Sequence, residues 1–366
     1  MAVYKIFAEK DTTLYSDYDT LNSGMDPILE LSKNTSLLYP SQSSAARFLI
    51  KFADGDISDV VSSYIGTASF SSSLKLYLAN STGLPTDYSI QVFPVSGAWD
   101  MGTGRFGDSP IPTDGSSWLY RKSGKTAAWS NINFSTGVTA SYTSLNVGGG
   151  TWYTGSKAEQ SFGVYTNKDV NVDVSSAVRS FVSSSIPNEG FIVKLSGSLE
   201  FSEAYNFTLN YFSRDTNTVY PPVLEFKWDD SRYSISGSSI TGVGSQDVRI
   251  SLANNKGEFN QDEIHRFRLN VRDQIPVRTY ATSSIYTNQK YLPATTYYSV
   301  KDVKSDITVV DFDDNFTKVS ADLQGNYFDV YMYGLEPERY YKILIKTVIS
   351  GSTLIFDDQY FFKVTE

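Results

Sequence analysis

Alternation with a period of two dominates the clear segments of the chain. Arg47-Phe48-Leu49-Ile50-Lys51-Phe52 places Phe48, Ile50 and Phe52 on one side, and Leu74, Leu76 and Leu78 do the same within Ser73 to Ala79, which is the pattern of half-buried strands. Phe191 to Leu195 and Val223 to Trp228 continue it, with clusters of Gly, Pro, Ser and Asn between them as turns. The spacing predicts one helix in this half, Ser175 to Ser183, capped by Ser175, with Ala177, Val178, Phe181 and Val182 on its apolar face. Further along, Tyr327 to Tyr333 alternates before a turn, and Tyr341, Ile343, Ile345 and Thr347 alternate after it. The polar turn at Trp228-Asp229-Asp230-Ser231 separates the two stretches and predicts domains over 1–229 and 230–366.

From Phe93 to Tyr165 the texture changes, and Gly, Ser, Thr and Trp take over. Loops this long in compact domains are normally functional or ordered by a partner, so residues 97–165 are the expected interface. Trp99, Trp118, Trp129 and Trp152 lie in or beside this region. Three roles stay open for them: packing a loop core, anchoring a partner protein, or stacking on sugar rings.

Composition sharpens the class. At 366 residues the chain exceeds what one core usually organises, and 26 Tyr and 22 Phe against 5 Trp favour pleated surfaces over helices. The expectation is all-β, as tandem β-sandwiches. Formal charge is −9 with the acids spread along the chain, so a basic footprint for nucleic acid is missing. The chain has no Cys, which excludes disulfide frameworks, thiolate metal sites and a Cys nucleophile. Lys5, Glu9, Lys10 and Asp11 interrupt any signal-peptide core at the N-terminus. No stretch approaches the roughly 18 apolar residues that span a bilayer, so no membrane partner is expected.

The motifs for chemistry dissolve on inspection. His265 is the single His, and its setting, Glu263-Ile264-His265-Arg266-Phe267, reads as the entry to a strand and not as part of a triad. Gly102-Thr-Gly104-Arg-Phe-Gly107 has dinucleotide-binding spacing, but Asp108-Ser-Pro110-Ile-Pro112 cannot open the helix that motif needs. Gly124-Lys125-Thr126 matches the end of a phosphate loop, yet Leu119 stands where its leading Gly belongs. Asp311-Phe-Asp313-Asp314-Asn315 is the densest carboxylate cluster. Phe316 occupies the Gly position of an EF-hand, so a solvated turn is the expectation there. Glu200 with Glu203 is a conceivable acid pair, with nothing to fix its separation. No catalytic, cofactor-binding or metal residue is assigned, no cofactor is expected, and the chain is read as non-enzymatic.

Several segments resemble known families. Arg47 to Phe52, Asp56-Ile57-Ser58, Ser73-Leu74-Lys75-Leu76-Tyr77-Leu78, and Val92-Phe93-Pro94-Val95 with Trp99 are similar to the opening of the DNRLRE domain. Val172-Asp173-Val174-Ser175 with Val178, Asn188-Glu189-Gly190-Phe191, Phe212-Ser213-Arg214-Asp215 and Pro222 to Phe226 resemble its later signatures. That resemblance covers about residues 1 to 229 and implies a jelly-roll sandwich related to carbohydrate-binding modules. Leu335-Glu336-Pro337-Glu338-Arg339-Tyr340-Tyr341 resembles the Leu-x-Pro-x-x-x-Tyr run of fibronectin type III modules, which implies an Ig-like sandwich with Tyr341 at a tyrosine corner.

The stretch from Phe267 through Asp358 is similar to the C-terminal region of structural proteins of tailed bacteriophages. It implies a virion protein of the neck or collar, the tail or the capsid surface, made in the cytoplasm of a bacterial host. Its partners would be other virion proteins, in multiple copies or a symmetric homo-oligomer. The alternative is a carbohydrate-binding adhesin or receptor-binding protein with a glycan as partner.

Overall fold

The structure is a computed structural model that describes residues 2–36, 43–129, 148–200, 202, 205–238, 240–275 and 289–366. The chain is all-β and divides into two sandwich units. One comprises Ile6–Tyr64 and Ser71–Glu225; the other comprises Met1–Lys5, Ile65–Phe70 and Phe226–Glu366. The long-range division thus falls at Glu225/Phe226, against 229/230 from the sequence, and two short N-terminal pieces cluster with the C-terminal unit.

The N-terminal, jelly-roll-like unit is built from β1 (Ala2–Phe7), β2 (Lys10–Tyr15), β3 (Ile28–Thr35), β4 (Ser43–Lys51), β5 (Phe70–Leu76), β6 (Leu78–Thr82), β7 (Tyr88–Pro94), β8 (Ala158–Phe162), β9 (Val170–Asp173), β10 (Phe191–Leu195), β11 (Phe207–Phe212) and β12 (Val223–Trp228). One sheet runs β1-β12-β5-β9; the other runs β6-β11-β3-β4-β10-β7-β8, with β2 added on β4. The unit boundary cuts through β1, β5 and β12. Registers Phe48↔Val193 and Ile50↔Phe191 put the apolar residues of β4 and β10 on one face, with Thr13 of β2 paired beside Phe48.

Two expectations need correction here. Leu78 does not continue the Leu74, Leu76 row, because β5 ends at Leu76 and Leu78 opens β6, half-buried. The strand β4 is buried on both faces and not half-buried, since Arg47 and Leu49 are as inaccessible as Phe48 and Ile50.

Among the described residues three short helices punctuate the unit: α1 (Asp54–Asp59), α2 (Ser175–Val182) and α3 (Gly197–Glu200). Helix α2 buries Ala177, Val178 and Phe181 as its spacing predicts, while Val182 faces out. Ser175 does not cap it. Val174 holds the cap position, and the Ser175 hydroxyl instead accepts the Ser72 backbone N–H at 2.8 Å, pinning the helix to β5. Helix α1 was not foreseen; it continues as a wider π-helical turn over Val60–Ile65. Its first turn carries Asp54 and Asp56, favourable at the positive helix end, and Ile57 is its buried anchor, too few apolar positions to give a period.

The C-terminal unit adds β13 (Thr241–Gly242), β14 (Val248–Leu252), β15 (Glu258–Asn260), β16 (Ile264–Asp273), β17 (Lys290–Tyr291), β18 (Thr296–Asp302), β19 (Thr308–Val310), β20 (Ser320–Asp322), β21 (Gly325–Tyr331), β22 (Arg339–Ile349) and β23 (Ser352–Thr365). Its sheets run β14-β16-β21-β20 and β15-β23-β22-β18-β19. Relabelled in chain order, these are the ABED and CFG sheets of an immunoglobulin sandwich with an extra edge strand on each side of the second. Phe267, Leu269, Val271, Tyr298, Val300, Phe328, Val330, Ile343 and Ile345 fill the space between them. The Tyr341 hydroxyl donates to the Glu336 carbonyl at 3.0 Å, the bond of a tyrosine corner. Among the described residues no helix is long and apolar enough to cross a membrane.

Candidate functional site

The segment expected to be a decorated loop is, over its described residues, a packed cover for one face of the larger N-terminal sheet. Trp99, Trp118, Trp129 and Trp152 are buried together against Leu14 of β2, Leu49 of β4, Phe93 of β7 and Ile192 of β10. Of the three roles open to these rings, core packing is the one the structure shows. Residues 130–147 of the predicted interface lie outside the described residues.

Beneath the indoles sits a buried ion cluster. The Arg47 guanidinium grips Glu200 with two bonds, 2.6 and 3.1 Å, and donates a third to the Gly149 carbonyl at 2.8 Å. Lys194 reaches the same Glu200 carboxylate at 3.0 Å. Arg47 also lies over the Trp118 and Trp152 rings, at 4.9 and 5.5 Å. Burial pushes the Glu200 carboxyl up, but the two cations overcome it and hold it below the usual carboxylate range. Burial lowers the Lys194 ammonium, with Glu200 opposing. Glu200 is therefore held as a brace between two cations; Glu203, the other member of the conceivable acid pair, lies outside the described residues.

The glycine spacing in this segment has a steric cause. Asn22 donates to the carbonyls of Met101 (2.7 Å) and Ser116 (2.8 Å) and accepts the Gly104 N–H at 2.8 Å. A Cβ at Gly104 would stand 2.4 Å from the Asn22 carbonyl oxygen, so only glycine lets the segment wrap this side chain. Gly102 and Gly104 shape this loop around Asn22.

That loop carries Phe106 to the rim of a groove of about 410 Å³. The carboxylate of Asp26 accepts the Phe106 backbone N–H at 3.0 Å and fixes its position. The ring meets Tyr15 at 5.1 Å and Tyr18 at 5.4 Å edge-on and lines the groove while remaining 53% exposed. The floor is strand surface. Registers Tyr15↔Ala46, Ser32↔Ala46 and Asn34↔Ser44 put these side chains on one side of β2, β3 and β4. Asp17, Glu30 and Asn206 complete the wall. Burial, with Glu30 and Asp26 nearby, holds the Tyr15 phenol well above its ordinary value, so it stays a hydrogen-bond donor. Sequence reading missed this groove because its walls come from segments far apart in the chain. Phe106 lay inside the stretch singled out for its glycines, and nothing local linked it to Tyr15 or Asn34.

The other candidate residues have structural partners. His265 is buried between the Phe259 and Phe267 rings, with Nε2 3.2 Å from the Asn254 carbonyl. Asp313 accepts the N–H groups of Asn315 (2.8 Å) and Phe316 (3.0 Å), which makes the acidic cluster a turn. Among the described residues no three acidic or His side chains converge as a metal site would require.

No protein-family model matches the chain, and no curated protein does. Among solved structures, a candidate beta-galactosidase from Bacteroides fragilis aligns with 97% of this chain and 41% of its own at 7% identity and a TM-score of 0.17. The chain spans less than half of that protein, and a likeness this small carries no argument about fold or activity.

Proposed function

We propose that this chain is a non-enzymatic structural component of a tailed-phage virion that works through protein–protein contacts. The observation that carries the reading is the outward face of the sheet β15-β23-β22-β18-β19. Its inner side chains fill the core, whereas Tyr340, Ile355 and Phe361 point away from it, 56, 59 and 39% exposed. Registers Tyr340↔Lys363, Lys342↔Phe361 and Lys346↔Ile355 interleave them with lysines. A face of large apolar and aromatic residues edged by charge suits a protein partner, and repeated copies multiply such weak contacts.

The test is mass spectrometry of purified particles of the encoding phage, with and without Tyr340→Glu and Phe361→Glu combined. The wild-type chain is expected at stoichiometric levels and the double variant, folded by circular dichroism, is expected to be lost. Absence of the wild-type chain from every particle fraction, or normal incorporation of the variant, overturns the reading.

A further inference from the structure

On β16 every second residue from Phe267 to Val271 enters the core, which leaves Arg266, Arg268, Asn270 and Arg272 on the outward face of the sheet β14-β16-β21-β20. Arg266 and Arg268 each meet an acid. Asp329, directly opposite Arg266 on β21, takes its guanidinium with two bonds of 2.8 and 2.9 Å, and Asp322 takes Arg268 with two of 3.0 and 2.8 Å. Tyr327 lies against both heads, at 4.2 and 5.3 Å. Arg272 breaks the pattern. The residue directly opposite it, on β14, is Arg249, and both are exposed. Like charges in that position destabilise a sheet. Among the described residues neither guanidinium forms an ion pair, not even with Asp247, two positions before Arg249. Arg272 reaches the carbonyl of its neighbour Asp273 at 3.5 Å, while the Asp273 carboxylate is turned to Lys290. Residues 276–288, outside the described residues, follow in sequence with Arg278 and no acid.

We infer that Arg249 and Arg272 are a docking point for an acidic segment of another protein, one that presents Asp or Glu side chains to the pair. The inference does not rest on the virion reading. Directly opposite residues stand about 4.5–5.5 Å apart at Cβ, so two guanidiniums can converge on neighbouring carboxylates. Carboxylate is also the anion that this face already grips in bidentate fashion, at Asp322 and Asp329. Ser251 and Asn270, the next outward pair, add neutral donors. A nucleic acid fits less well, since its phosphates recur along the strand while the chain as a whole carries −9. A second copy meeting this face with its own would gather the unpaired arginines of both, with Asp322 and Asp329 already engaged.

The full chain, isotope-labelled, is to be titrated in low salt with acetylated hexaglutamate while the arginine Nε–Hε signals are followed by NMR, assigned with Arg249→Gln and Arg272→Gln. Saturable shifts of the Arg249 and Arg272 signals are expected, with those of Arg266 and Arg268 unmoved. Arg272→Gln is expected to weaken binding tenfold or more, and Lys304→Gln, which removes the same charge from an exposed turn, less than twofold. Arg249→Gln, on the other strand, repeats the test should Arg272→Gln misfold. No saturation at about 5 mM peptide, equal loss in Lys304→Gln, tighter binding of a twelve-nucleotide oligothymidylate, or self-association of the chain that Arg272→Gln abolishes overturns the inference.

Discussion

In the C-terminal unit, Phe267, Phe328, Tyr298 and Ile343 meet between two sheets, every second residue turned inward and most of these apolar or aromatic, with Thr296 and Thr347 among the few polar ones and hydrogen-bonded to each other at 2.8 Å. In the N-terminal unit, the face of β4 and β10 bearing Arg47, Leu49, Ile192 and Lys194 is closed by four indoles and a carboxylate delivered from loops and a short helix. The first closure obtains its energy from dry area and tolerates loss of any one contact in proportion to volume. The second has charges at its centre, so its stability depends on a complete set of partners, and removing one strands the others.

The largest effect that would sharpen this contrast is at Glu200. Replacing it with Ala leaves Arg47 and Lys194 facing each other at 0 and 1% exposure with no anion between them. Breaking a buried ion cluster in this way costs about 3–5 kcal/mol. Urea unfolding followed by tryptophan fluorescence should show it, since the indoles of Trp118 and Trp152 lie against the cluster. A loss below about 1 kcal/mol would mean that water reaches the cations and that the two closures are energetically alike.

A smaller effect concerns Asp11, paired with Ile50 on the other face of the same sheet. Burial pushes its carboxyl up to about 7 from an ordinary 3.8, against the Arg214 N–H that it accepts at 2.7 Å; Asp215 adds to the rise. The native state therefore keeps a proton between roughly pH 4 and 7 that the unfolded chain has released. Stability is highest at the acid end of that window, falls as pH rises to about 7, and is flat above. Asp11→Asn removes the slope and is expected to stabilise the protein by about 2–4 kcal/mol at pH 8, with little change at pH 4. Equal stabilisation at both pH values would show that the carboxyl titrates normally.

The same contrast explains what could be read in the sequence. The rows Phe48, Ile50, Phe52 and Tyr341, Ile343, Ile345 announce strands because a sheet covered by another sheet imposes a period of two. The tyrosine corner was legible for a related reason: Leu335 to Tyr341 is local, and its hydrogen bond spans five residues. Arg47 and Glu200 are 153 positions apart, and Phe106 meets Tyr15 and Tyr18 only because Asn22 and Asp26 fix a loop from a distant segment. Neither pairing leaves a periodic trace. The tryptophans were visible as a group, but nothing in their spacing said whether the rings faced solvent or a sheet.

The smallest expected effect tests the regular side of the comparison. Tyr341 lies near the start of β22, the first strand of the long β22–β23 hairpin, with its ring in the core 5.6 Å from Phe362 and its hydroxyl on the Glu336 carbonyl. Burial, joined by Glu336 and Asp302, raises the phenol well above its ordinary value, so it donates this bond across the whole working pH range. Tyr341→Phe keeps the ring and deletes the donor. Since the Glu336 carbonyl sits near the surface and can turn to water, the cost should be that of one net hydrogen bond, about 0.5–1.5 kcal/mol. Hydrogen exchange of the β22 and β23 amides locates the change in this unit, and the urea slope should not alter because no new surface is exposed. Tyr341→Ala in parallel should cost several times more, as ring burial is lost with the bond. If Phe and Ala prove equally damaging, the hydroxyl and not the apolar ring dominates at this corner, and the C-terminal sandwich would share the dependence on polar partners that marks the face under the tryptophans.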